Sequence, residues 1–233
     1  HGWLIAGLSA WLAWRERDVL AAARPWWPGL ILVAAAAAAW LVARAGDIAL
    51  GQQVMLPVLL WSTVLAALGP AAARALAFPL GFLYFAIPVW DFVTPFLQAA
   101  TTAVSGALVA ASGIPALIEG NFVTIPAGQF EIAAGCAGSA FFMTAGALAA
   151  LYGHLHYGRA WGRRLLLLAV AFGGAMVLNW VRVYVVIIAG HLTDMQHYLV
   201  AVDHYTFGWV LFAVALVPFY MFARRLEPAE WPQ

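Results

Sequence analysis

The sequence predicts an all-α fold, a polytopic transmembrane helical bundle, on three observations. Apolar stretches of about 17–25 residues recur along the chain, each long enough as a helix to cross roughly 30 Å of hydrocarbon. Only 9% of the residues are charged against 65% hydrophobic, with a mean hydropathy of +0.90. A soluble domain carries about 25% charged residues, so this chain cannot cover itself with a solvated surface. Twelve tryptophans, among them Trp26, Trp27, Trp61, Trp90, Trp161 and Trp209, flank several of the apolar runs as an interfacial belt does.

In chain order the apolar segments fall near 2–14, 26–43, 53–70, 75–91, 137–153, 164–189 and 205–222, about seven spans. The chain opens at His1-Gly2-Trp3, already inside an apolar run and without an initiator Met, so a truncated N-terminus is expected on a single domain over 1–233. All basic residues are arginines. With simple alternation, Arg15, Arg17, Arg24, Arg74, Arg159, Arg163, Arg164, Arg224 and Arg225 share one side, which the positive-inside rule makes cytoplasmic. Asp47, Asp91, Glu119, Glu131, Asp194 and Asp203 lie opposite, with Arg44. A net charge of +1 points to no nucleic-acid partner. The partner such a chain requires is membrane lipid.

Two segments break the pattern. The stretch 95–114 is long enough to span, yet a crossing there would invert the later arginine clusters. Gln98, Thr101, Thr102, Ser105 and Ser112 recur near helical spacing and give it one polar face. It is therefore expected to be an interfacial or re-entrant helix, or one whose polar face lines a wet cavity. After it, residues 121–132 hold two short β-favouring runs around Pro126-Ala127-Gly128, which predicts an outer-face β-hairpin leading into Cys136.

Cys136 is the only cysteine and cannot form an intrachain disulfide. It is either a small packing residue or a reactive thiol, and its position before the fifth span exposes it to the positive end of a helix dipole, which favours thiolate. Arg182 stands in an otherwise apolar helix, about 26 Å from Leu165 at 1.5 Å per residue. A buried arginine costs about 2.5–3.5 kcal/mol on insertion scales. It must therefore have a partner or a wet site, or snorkel to the headgroups. Asn179 precedes it by one turn on the same face. His204 opens the last span, with Gly208 a turn below it, and His191 and His197 are its rivals at that level. Gly138 lies among small residues that let helices approach closely. A thiol, a guanidinium and an imidazole at one membrane depth form a set for acyl transfer: base, nucleophile and oxyanion donor. No ligand cluster of zinc spacing surrounds the thiol, so no metal or cofactor is implied.

The chain resembles the exosortase/archaeosortase family of membrane-embedded cysteine transpeptidases over nearly its whole length. The resemblance is carried by Phe78-Pro-Leu-Gly-Phe-Leu-Tyr-Phe-Ala-Ile-Pro88, by Ile125-Pro-Ala-Gly-Gln-Phe-Glu-Ile-Ala-Ala-Gly-Cys136, by Asn179-x-x-Arg182 and by His204-x-x-x-Gly208. It implies that Cys136, Arg182 and His204 are catalytic, with Asn179, Gly138 and Gly208 in support. It further implies substrates that are secreted proteins bearing a C-terminal Pro-Glu-Pro-type sorting signal and a transmembrane tail, an unknown acceptor nucleophile, and a site at the periplasmic face of a bacterial inner membrane. One departure stands out. The family commonly reads Cys-Ser-Gly-(Leu/Ile)-Arg, whereas this chain has Cys136-Ala-Gly-Ser-Ala140. Two other readings stay open: a transporter or channel with Arg182 as an anion site, and a membrane acyltransferase acting on lipid or sugar.

Overall fold

The computed structural model describes residues 2–201, 203 and 205–227. His204 lies outside them. The chain is 78% helical and divides into two compact units, His1–Trp90 and Asp91–Gln233. Among the described residues, four helical stretches are long and apolar enough to cross a membrane: Ala49–Ala75, Pro88–Ala111, Trp161–Leu192 and Tyr205–Arg225. Gly29–Ala45 and Ala77–Ala86 are shorter apolar helices.

In the first unit, α1 (Gly2–Arg15) and α2 (Arg17–Ala21) precede α3 (Gly29–Ala45), α4 (Ala49–Ala75) and α5 (Ala77–Phe82), which runs on as a 3-10 turn over Leu83–Ala86. Helix α3 packs antiparallel on α4. Gly29 sits so close that a Cβ there would lie 2.8 Å from the Ala66 backbone. Helix α4 is interrupted at Gly69 (φ 85, ψ 177), a conformation only glycine takes without strain, and Pro70 follows. Beyond it the chain doubles back. Trp61 Nε1 donates to the Ala73 carbonyl at 2.8 Å, and Tyr84 Oη to the Val54 carbonyl at 3.1 Å. The reversal expected from two apolar runs on either side of Arg74 is thus present, centred on Gly69.

The second unit follows a 3-10 stretch, Pro88–Val93. It comprises α6 (Thr94–Ala111), three short strands, α7 (Ser139–His156), α8 (Trp161–Leu192), α9 (Tyr198–Ala201) and α10 (Tyr205–Arg225). Helix α8 organises it. Leu167, Ala171, Ala175, Asn179, Val183, Ile187 and Gly190 are buried at intervals of three to four residues, one stripe along its length. The first half of the stripe meets Phe141, Ala145 and Ala149 of α7 and Phe212 of α10. Small residues on the facing helices set that close approach. The second half meets α6 and the strands through Val109, Val123 and Ile132.

Helix α6 runs in the same sense as α8, since Thr101 pairs with Asn179 and Ser112 with Tyr184. The middle of its polar face is turned into the protein, while Ser112 at its end is exposed. Thr101, Thr102 and Ser105 are buried, packed toward α8 and the turn bearing Cys136. At these three positions the face packs against protein rather than lining a wet cavity. Hydroxyls are tolerated there because Thr101 and Thr102 bond to backbone carbonyls.

The predicted hairpin is present and carries a third strand. Strands β1 (Leu117–Glu119), β2 (Phe122–Ile125) and β3 (Gly128–Glu131) form an antiparallel sheet in that order. Pro126-Ala127 closes the β2–β3 turn, with Ile125 opposite Gly128 and Phe122 opposite Glu131. The Ile132 N–H donates to the Asn121 carbonyl at 2.8 Å, extending the ladder toward Cys136. One face of the sheet is apolar and covers the end of α8. Gly190 permits this, because a Cβ there would lie 2.5 Å from the Phe130 ring.

Candidate active site

The strands end in a 3-10 turn, Ala134–Cys136, so the thiol stands three residues before α7 rather than in its first turn. Gly138 makes the join. It is left-handed (φ 91, ψ 9) at the N-cap of α7, and a Cβ on it would lie 2.7 Å from Asn179 Cγ. Both backbone conformation and space therefore require glycine.

Asn179 is the hub beneath this turn and is 1% exposed. Its Nδ2 donates to the Cys136 carbonyl at 2.9 Å and to Thr101 Oγ1 at 3.2 Å. Thr101 Oγ1 in turn donates to the Ala137 carbonyl at 3.3 Å. Asn179 Oδ1 accepts from Arg182 Nη1 at 3.4 Å. One amide thus ties the thiol-bearing backbone to the guanidinium one helical turn away.

Arg182 is 4% exposed. It is held by aromatic faces, with its guanidinium carbon 5.5 Å from the ring centroids of both Phe141 and Tyr205. Gly208 leaves the space it occupies. A Cβ there would lie 2.8 Å from Arg182 Nε and 3.0 Å from the Phe141 ring. Among the described residues no carboxylate forms an ion pair with Arg182, and its Nη2 is buried without a hydrogen-bond partner. A buried donor left open in this way is costly, and an anion or developing oxyanion would satisfy it.

Cys136 and Arg182 line one open cleft of about 490 Å³ with Phe130, Glu131, Val183 and Val200. Burial pushes the Cys136 thiol above its ordinary pKa, the Arg182 guanidinium pulls it back down, and the Glu131 carboxylate adds to the rise. The thiolate expected from the helix dipole is therefore not favoured. The thiol is half-buried and precedes the first turn of α7, and desolvation is the largest influence on it.

The structure thus brings Cys136, Gly138, Asn179, Arg182 and Gly208 together. Around His204, Asp203 Oδ1 accepts from the N–H groups of Tyr205 and Thr206 and caps α10. The rivals His191 and His197 are not among the residues lining the cleft. His197 Nδ1 is engaged locally, accepting from the Leu199 N–H. Sequence reasoning missed two contributors, Phe141 and Tyr205, and placed Thr101 only on the polar face of 95–114. A methyl on Gly135 would stand 2.9 Å from Tyr205 Oη, so that hydroxyl lies against the backbone beside Cys136. Its only sequence signal was its place next to His204.

Apolar helices of spanning length and a buried guanidinium sharing a cleft with a single thiol define a multi-pass membrane protein with a cysteine–arginine site. The family model described as transmembrane exosortase (Exosortase_EpsH) matches residues 1–221. The chain belongs to that family of transmembrane enzymes. No curated protein and no solved structure matches it.

Proposed function

We propose that this exosortase is a membrane-embedded cysteine peptidase and transpeptidase. It would cleave secreted proteins near a C-terminal sorting signal at the periplasmic face of the inner membrane and pass them to an acceptor. The observation that carries this reading is the buried guanidinium of Arg182, unpaired with any carboxylate among the described residues, in the same cleft as the Cys136 thiol. A cationic donor held in place before reaction is suited to charge that develops only in the transition state.

The roles follow from the chemistry. An ordinary thiol is mostly protonated at neutral pH and burial pushes this one further that way, so a base must remove its proton as attack begins; His204 is given that part. The sulfur attacks the scissile carbonyl, and Arg182 stabilises the oxyanion. His204 then hands the proton to the leaving amine, and the C–N bond breaks to leave a thioester on Cys136. An acceptor amine or water attacks the thioester, returning the proton to the thiol. Asn179 orients Arg182 and fixes the Cys136 carbonyl, Gly138 sets the turn, and Gly208 makes room for the guanidinium.

The test is co-expression with a model substrate bearing a Pro-Glu-Pro-type signal and transmembrane tail. Cys136→Ala and Arg182→Ala should each abolish processing. Unchanged processing by Cys136→Ala would sink the mechanism. Mass spectrometry of a trapped Cys136 adduct distinguishes a peptide acyl group from the lipid or sugar-linked acyl group of an acyltransferase.

A further inference from the structure

The open edge of strand β3 lies beside the thiol. The sheet has two edges, β1 and β3, and only β3 leads directly into the turn that ends at Cys136. The register fixes which backbone groups face outward. Ile132 is hydrogen-bonded to Asn121, so by antiparallel alternation Phe130 and Gly128 turn their N–H and C=O groups toward β2. Gln129 and Glu131, opposite Thr124 and Phe122, turn theirs away from the sheet. Both residues are exposed, and among the described residues nothing bonds to those outward backbone groups. Glu131 also lines the cleft that holds Cys136 and Arg182.

Backbone groups at such an edge must be satisfied by water or by another strand. We propose that the β3 edge, through the N–H and C=O groups of Gln129 and Glu131, is the binding site for an extended peptide, which joins the sheet as a fourth strand and so presents its carbonyl to Cys136. This rests on the peptidase reading above. Pairing through the backbone recognises an extended chain largely irrespective of sequence. Alternate side chains of the bound segment would point into the cleft, against Val183, Val186 and Val200, which suits an apolar residue there. The neighbouring strand β1 gives no such site, because it is separated from Cys136 by β2 and β3.

The experiment measures the rate at which Cys136 of the full chain, in detergent, reacts with three vinyl sulfones. One is ethyl vinyl sulfone, which has no peptide backbone. The second is a mixture of short peptidyl vinyl sulfones with randomised side chains. The third is the same mixture with its backbone amides N-methylated. The peptidyl mixture should react about tenfold faster than ethyl vinyl sulfone, as a few backbone hydrogen bonds would give, and N-methylation should erase the advantage. Gln129→Pro removes one outward N–H without touching the β2 ladder and should lower the ratio of peptidyl to ethyl rates. A ratio that survives N-methylation or Gln129→Pro overturns the proposal, as do equal rates in the wild type, while leaving Cys136 a nucleophile. A thiol inert to every probe overturns the peptidase reading and the proposal together. The N-methylated probe decides the matter on the wild type even where Gln129→Pro fails to fold.

Discussion

At the scale of single residues, Asn179 is the position on which the site depends most. Its amide holds the Cys136 carbonyl, the Thr101 hydroxyl and the Arg182 guanidinium at once. Asn179→Ala leaves a buried carbonyl and a buried guanidinium short of partners, at about 1–3 kcal/mol each. It should lower the thermal unfolding temperature and cut substrate processing by at least tenfold. Asn179→Asp keeps the shape but sets a carboxylate beside Arg182; it should support folding better than the alanine variant and still fail in processing. The thiol gives a second test. Burial holds its pKa up, so alkylation of Cys136 should rise with pH to a midpoint above that of an ordinary thiol. Thiolate is the charged form. Removing a negative neighbour by Glu131→Gln should therefore move the midpoint down, and removing the positive one by Arg182→Gln should move it up. Shifts of the opposite sign in a pH series of iodoacetamide labelling would show that these groups do not act on the sulfur. Cys136, Asn179 and Arg182 were legible in the sequence because a thiol at a loop–helix junction and a cation in an apolar helix are conspicuous. The roles of Thr101 and Tyr205 were not, since they arise from contacts across 78 and 23 residues of chain, which no local spacing encodes.

At the scale of elements, one glycine decides how the chain reverses after the long part of α4. Gly69 combines positive φ with the carbonyl of Arg24 lying where a Cβ would be. Gly69→Ala should destabilise by about 1–3 kcal/mol, read as a lower unfolding temperature in detergent. Gly173→Ala is the matching control: a Cβ there meets nothing within 4 Å, and a helical alanine is favoured over glycine, so stability should hold or rise slightly. An equal loss in both would remove the argument from backbone conformation. The elements also show where periodicity misleads. The repeat of Gln98, Thr101, Thr102 and Ser105 marked a polar face correctly, yet polarity alone could not say whether it met water or protein. It meets protein: Gln98 Nε2 donates to the Ile132 carbonyl at 2.5 Å, beside the path to Cys136. Strand β1 escaped notice because its three residues, Leu117–Glu119, are all exposed and show no alternation.

At the scale of the whole molecule, the arginine distribution and the position of the site make one joint claim about the membrane. The clusters at Arg159, Arg163, Arg164, Arg224 and Arg225 adjoin one end of α7, α8 and α10, while Cys136, the strands and Asp203 adjoin the other. Positive charge is retained on the cytoplasmic side, so the cleft should open to the opposite compartment, where secreted proteins with membrane-anchored tails would meet it. A single native cysteine makes this simple to test. In the Cys136→Ala background, Glu119→Cys on the exposed strand β1 should react with a membrane-impermeant maleimide in intact spheroplasts. Arg225→Cys in the same background should react only after lysis. Labelling of Arg225→Cys in intact spheroplasts would reverse the orientation, put the thiol in the cytoplasm and remove secreted proteins as substrates, whatever the chemistry at Cys136.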